Sequence, residues 1–286
     1  QNNIRHDNKV FDVLFDAIEK QDDFDEKELL KKFSDKPFVK QFALTKSRLY
    51  DQILRSLDAL YSDSSVDAAL KQDLHFVEIL FKKTLYKQAE KQLYLTRKKA
   101  LKHEKISSLI EISYWEKRLL EKSGYAGDSA EGIQVIGETD DWLMQQLKTG
   151  NDLWTLKSKL FSKVNKSGYA EQEGEMAEEM RRLEESKDET ALTVENKFLK
   201  HHTLSAWYFG IHNYESCYRH LQYNAELIEN NSFLFNDEPN VYFSVLSNLI
   251  FICSNTNRKN EALDALNRLR NVGALFSLEN NEDLEL

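Results

Sequence analysis

Ala206-Trp207-Tyr208-Phe209-Gly210-Ile211-His212-Asn213-Tyr214-Glu215-Ser216-Cys217 decides how the chain is read. The spacing predicts an apolar helix ending at Gly210, a three-residue turn at 211–213, and a second helix opening at Tyr214. Forty-five residues later the pattern returns. Leu249-Ile250-Phe251-Ile252-Cys253 precedes the turn Asn255-Thr256-Asn257, and Lys259-Asn260-Glu261-Ala262-Leu263 opens the next helix. Setting Cys217 on Ala262 places Tyr208 on Cys253, Leu204 on Leu249 and Leu221 on Leu266. A third copy fits upstream, with Ala89 in the small position, Tyr86 three before it, Leu80 nine before and Leu93 four after.

The shared device is a small inward residue flanked by large apolar ones. Two antiparallel helices joined by a short turn approach closely only where one side chain is small, and larger neighbours fill the groove on either side. In this the chain resembles the tetratricopeptide (TPR) family of helical repeats, clearest over 200–272 and weaker over 70–122. The resemblance implies an all-α fold, an α-solenoid of stacked antiparallel helical hairpins, with a concave groove that takes a protein segment or peptide. The spacing of forty-five departs from the usual unit of about 34 residues. Degenerate repeats with units of about 40 to 47 residues fit nearly as well.

Outward from this core, helical spacing runs almost throughout. Val10, Leu14, Phe15 and Ile18 share one face, and Asp25 with Glu28 marks a helix start before Leu29, Leu30 and Phe33. Pro37 suits a first helical turn, and a long helix is expected over 38–61. Ser64 is the expected cap of the helix carrying Leu70, Leu74, Val77 and Phe81. Helices follow at about 87–103 and from Ile106 to Leu119. Four of the nine glycines fall between Gly124 and Gly137, which reads as a loop or boundary between an N-terminal helical region (1–123) and a C-terminal one (138–286), unless one solenoid runs through. A long helix is expected from Thr139, with a break near Gly150.

Only nine Gly and two Pro in 286 residues argue against a β-sandwich or barrel, which needs a turn every few residues. No run of apolar residues is long enough to span a membrane. The chain opens on Gln1 rather than Met and ends on the acidic stretch Glu279 to Leu286, so an upstream or downstream cut stays open. Cys217 and Cys253 are too few for a disulfide framework and read as buried thiols, compatible with a cytoplasmic location.

The net charge of −9 disfavours general nucleic-acid binding. It is unevenly spread. Lys82 to Lys105 holds nine Lys or Arg against Glu90 and Glu104, whereas 171–189 holds nine acidic residues against three basic ones. The acidic run reads as a solvated helix with Met176, Met180 and Leu183 as its apolar stripe. The basic run, interleaved with Tyr86 and Tyr94, reads as a solvated face or one paired internally, for instance with 171–189, as a surface for an acidic partner or a phosphate, or as a nucleic-acid contact through Arg97, Lys98 and Lys99.

No catalytic motif survives. Gly127 and Gly132 have phosphate-loop spacing, but Ile133-Gln134 follows where Lys and Ser or Thr are required. His103-Glu104 lacks the second histidine of a zinc-protease helix, with Ser107 in its place. Cys217 and His220 have ligand-like spacing, yet Cys217 occupies the inward position of a helix pair. The expected function is therefore a non-enzymatic interaction scaffold with no metal or cofactor. Arg219, Tyr223 and Asn248 are the groove candidates, and Arg97, Lys98 and Lys99 the candidates on the basic helix. The alternative is a helical sensor in which a small ligand or peptide shifts the shape of the stack.

Overall fold

The computed structural model describes residues 2–61, 65–125, 130–167, 170, 174–186 and 189–276, with side chains from residue 10 onward except 130, 131 and 167. Among the described residues there are thirteen α-helices, two short 3-10 helices and no strand. The chain forms two compact units, 1–68 and 69–286.

In the first unit, α1 (Asn2–Glu19), α2 (Glu26–Lys32) and α3 (Phe42–Tyr61) enclose a small core of Leu14, Ala17, Leu29, Phe33, Phe42 and Leu49. Asp25 caps α2 by accepting from the Lys27 and Glu28 amides. Pro37 opens a 3-10 turn that runs to Gln41, so the long helix expected from residue 38 begins as α3 only at Phe42. Lys46 of α3 pairs with Glu26 of α2.

The second unit is a stack in which successive helices make the principal contacts. It runs through α4 (Val66–Lys82), α5 (Tyr86–Lys102), α6 (Ile106–Lys122) and α7 (Ala130–Ser167). It continues with α8 (Glu175–Glu185), α9 (Val194–Gly210) and α10 (Tyr214–Asn230), then α11 (Asn240–Asn255), α12 (Lys259–Arg270) and the short α13 (Val272–Leu275). Helix α9 packs on both α7 and α10, α8 lies along α9, and α11 packs on both α10 and α12. The expected all-α, solenoid-like stack of hairpins is what forms. The Ser65 hydroxyl caps α4 through the Ala68 amide at 3.1 Å. Ser64, the expected cap, lies outside the described residues.

Five helices end on the same backbone closure. The amides of Leu85, Lys105, Tyr125, Asn213 and Arg258 each donate to the carbonyl five residues back, on Leu80, Ala100, Leu120, Tyr208 and Cys253. The residue before each amide is left-handed: Thr84, Glu104, Gly124, His212 and Asn257. This is the Schellman turn, which normally uses glycine because a Cβ is strained there. Here only one of the five is glycine, so the chain makes its hairpins with few glycines.

The glycine-bearing stretch 124–137 begins with one of these closures at Gly124, and residues 126–129 lie outside the described residues. Its second part is helix, because α7 starts at Ala130 and carries Gly132 and Gly137. Helix α7 also continues through Gly150, where a break was expected. That glycine permits close approach instead: a Cβ there would stand 2.9 Å from the side-chain oxygen of Asn196 on α9. Gly210 plays the same part for residue 170. Its carbonyl accepts from the Ala170 amide at 3.0 Å, and a Cβ would meet the Ala170 Cβ at 2.7 Å.

Small residues sit where the hairpins need them. Ala89 and Cys217 are buried, with Leu93 and Leu221 beside them. Ala262 is half-buried, although Ala265 one turn on is fully enclosed. The main core gathers Leu160, Met180, Leu204, Trp207, Leu249 and Ile252 around Cys217. A second core of Ala225, Ile228, Tyr242, Leu246, Val272 and Phe276 closes the C-terminal end.

Candidate functional site

Four helices of the stack surround a cavity of about 490 Å³. Helix α7 contributes Leu160, Phe161, Val164 and Asn165, and α9 contributes His202, Ser205, Ala206 and Phe209. Helix α11 adds Asn248, Phe251 and Ile252, while Cys217 and Leu221 of α10 complete the lining. Phe161, Phe209 and Phe251 are all exposed, at 39%, 42% and 54%. Exposed phenylalanines around one cavity are what a solvated surface avoids and a binding surface uses.

The polar groups in this wall are few. His202 is sandwiched between Phe161 and Phe198, with ring centroids 6.0 and 5.6 Å away and nearly parallel planes. Burial pushes its pKa down to about 4, and the charge on Lys157 acts in the same direction. The imidazole is therefore neutral at neutral pH, and its Nδ1 makes no hydrogen bond among the described residues. Burial likewise pushes the Cys217 thiol up to about 12, so it is neither thiolate nor nucleophile. Asn165 and Asn248 complete the polar edge.

A second cluster lies where α8, α9 and α10 meet. The Glu189 carboxylate accepts from Lys200 Nζ at 2.7 Å, His201 Nε2 at 3.1 Å and the Tyr223 hydroxyl at 3.0 Å. Lys200 is only 4% exposed and also donates to the Ser186 carbonyl. Burial raises the Glu189 pKa, but the Lys200 and Tyr223 hydrogen bonds and the Lys200 charge outweigh it, and the net shift is downward. His201 Nδ1 lies 2.8 Å from His220 Nδ1. One proton must sit between them. His201 already donates from Nε2, so its Nδ1 accepts and His220 Nδ1–H donates. Burial lowers both imidazoles, His220 to about 4. His220 Nε2 then faces Glu184 at 3.7 Å, too far for a hydrogen bond, while Glu184 accepts from the Tyr208 hydroxyl. Tyr223 stacks on His201 at 3.8 Å and Tyr208 on His220 at 5.5 Å. The arrangement clamps Glu184 and Glu189 onto α9 and α10.

The expected site residues fall in three places. Asn248 lines the cavity. Tyr223 belongs to the clamp, and Arg219 is exposed and donates to Ser216 Oγ at 2.9 Å. On α10 these two lie on a different arc from Cys217 and Leu221, which alone of that helix reach the cavity. On α5, Arg97 donates to both oxygens of Glu116 on α6, at 2.7 and 2.6 Å, and Lys99 pairs with Asp73 on α4 at 2.6 Å. Lys98 is exposed. The acidic run was expected to be solvated, yet Glu184 and Glu189 are clamp residues, and Glu171, Glu173 and Asp188 lie outside the described residues. Met180 is buried with Ala177, whereas Met176 and Leu183 are half-buried. Phe161, Phe209, Phe251 and His202 were not singled out as binding residues. Their one signal in sequence is large aromatics on helices whose other faces already fill the core.

No group of three or more His, Cys, Asp or Glu side chains among the described residues is arranged to hold a metal ion. No helix among them is long and apolar enough to cross a membrane. Comparison with protein-family models, with curated proteins and with solved structures finds no match.

Proposed function

We propose that the chain is an interaction module, built of degenerate TPR-like hairpins, that binds a protein segment on its α7–α9–α11 face. The observation carrying this is the apolar cavity of about 490 Å³ rimmed by exposed Phe161, Phe209 and Phe251. Aromatic anchors around a concave apolar site are the usual source of affinity in such surfaces. The small inward residues Ala89 and Cys217 support the TPR-like reading of the hairpins. The segment carries one large apolar side chain for the cavity and polar atoms for Asn165, Asn248 and neutral His202.

The test is peptide-display selection on the purified chain, followed by titration of the selected peptides. They are expected to share an aromatic or long aliphatic residue and to lose about tenfold or more in affinity with Phe209→Ser or Phe251→Ser. Peptides without a shared anchor, or with affinity unchanged in both variants, reject the proposal. A second reading, a small apolar ligand in the same cavity, rests on its volume, which falls within the range of small-molecule sites of about 300–1,000 Å³. Apolar fragments that raise the melting temperature of the native chain, but not of Phe209→Ser, favour that reading.

A further inference from the structure

The basic helix α5 divides its cations by direction. At about 100° per residue, its buried residues Ala89, Leu93, Thr96 and Ala100 share an arc of about 60°. On either flank the cations are taken up inside the fold, Arg97 by Glu116 of α6 and Lys99 by Asp73 of α4, which also accepts from Gln92. Opposite the buried arc, Lys87, Lys91, Lys98 and Lys102 share another arc of about 60°. All four are exposed and form no ion pair among the described residues. Tyr94, Leu95 and Leu101 lie among them or at their edges, exposed by 68%, 51% and 49%. A ridge of four unpaired lysines and three bare apolar side chains thus runs about 22 Å along one helix.

In a chain of net charge −9, such a ridge repels itself and exposes apolar area. We infer that it is a docking surface for an acidic protein segment, an amphipathic stretch whose carboxylates meet the four lysines and whose aliphatic residues cover Tyr94, Leu95 and Leu101. Charge complementarity sets the sign of the partner. Width sets its class. The cationic strip is one helix wide, with exposed Glu90 on one edge and the carboxylates of Glu116 and Asp73 beside its flanks. A single peptide fits between these acids, whereas a nucleic-acid duplex or a lipid surface meets them as well. Neutralising Arg97 and Lys99 would disturb the packing of α5 on its neighbours, while Lys98 belongs to the ridge.

The experiment uses the full chain and a fluorescein-labelled helical peptide of about 16 residues, the length of the ridge, with Glu at four-residue spacing and Leu between. The native chain is expected to bind it, and to bind less as salt rises past about 0.15 M, where charges are screened over about 8 Å. Changing Lys87, Lys91, Lys98 and Lys102 together to Glu is expected to cut affinity by about tenfold or more. A thermal melt with the native degree of cooperativity checks that this variant folds, which exposed positions permit. The same peptide with Gln for Glu is expected not to bind. The inference is overturned if the native chain ignores the Glu peptide, if the quadruple variant binds it equally well, or if a duplex oligonucleotide or vesicles with anionic phospholipid bind more tightly than the peptide. Because none of these lysines touches the cavity, the outcome is independent of the Phe209 and Phe251 tests.

Discussion

Thr84 holds a left-handed backbone at φ 60°, where a β-branched residue is disfavoured. Its side chain is exposed, so nothing is lost by removing it. Thr84→Gly relieves about 1–2 kcal/mol of strain against the added freedom of an unfolded glycine, about 0.5–1 kcal/mol. A net gain of about 0.5–1 kcal/mol is expected, read by calorimetry as a rise of roughly 1–2 °C. Gly210 runs the other way. Alanine has the better helix propensity by about 1 kcal/mol, yet its Cβ would press on Ala170 and disturb the bond that holds residue 170. A net loss of about 1–3 kcal/mol is expected in urea denaturation, and a neutral result removes the close-approach account. Neither position is legible in the sequence. Thr84 resembles any surface threonine, and the partner that makes Gly210 irreplaceable is forty residues away.

The hairpins were legible because two helices and a short turn are local, and the small residues Ala89 and Cys217 leave a periodic trace. The clamp was not. Glu184 and Glu189 belong to a run of acids that looks solvated, and only the fold brings them to His220, Tyr208, His201 and Lys200. Helix α7 shows the same limit, since a glycine that breaks an isolated helix is retained where a second helix must come close. The buried imidazoles of the cavity wall and the clamp give this unit a pH dependence of definite sign. His202 and His220 titrate at about 4 in the folded chain, against about 6.5 when unfolded. Between these values the unfolded chain binds more protons, so stability is complete above about pH 6.5 and falls toward pH 4. Glu189, depressed below its usual range, adds a loss of the same sign at lower pH, while Glu104, raised by burial, opposes it. The urea midpoint is expected to be lower at pH 5 than at pH 7. His202→Phe, which keeps the stacking on Phe161 and Phe198, is expected to shrink that difference.

At the scale of the molecule, the second unit is held mainly by contacts between successive helices. Such stacks open in steps, because each interface contributes its own stability. Native-state hydrogen exchange is expected to be graded, slowest in α9 and α10, where the largest core lies, and faster toward α12. Uniform protection across the unit would show that it opens as one body. The cavity spans α7, α9, α10 and α11, four members of that stack. A small tilt at each of their interfaces sums across it, since no sheet among the described residues ties the stack from end to end. Its mouth is thus mechanically compliant. Tension applied at the ends of the stack is expected to alter the gap between Phe161 and Phe251 before any helix unwinds.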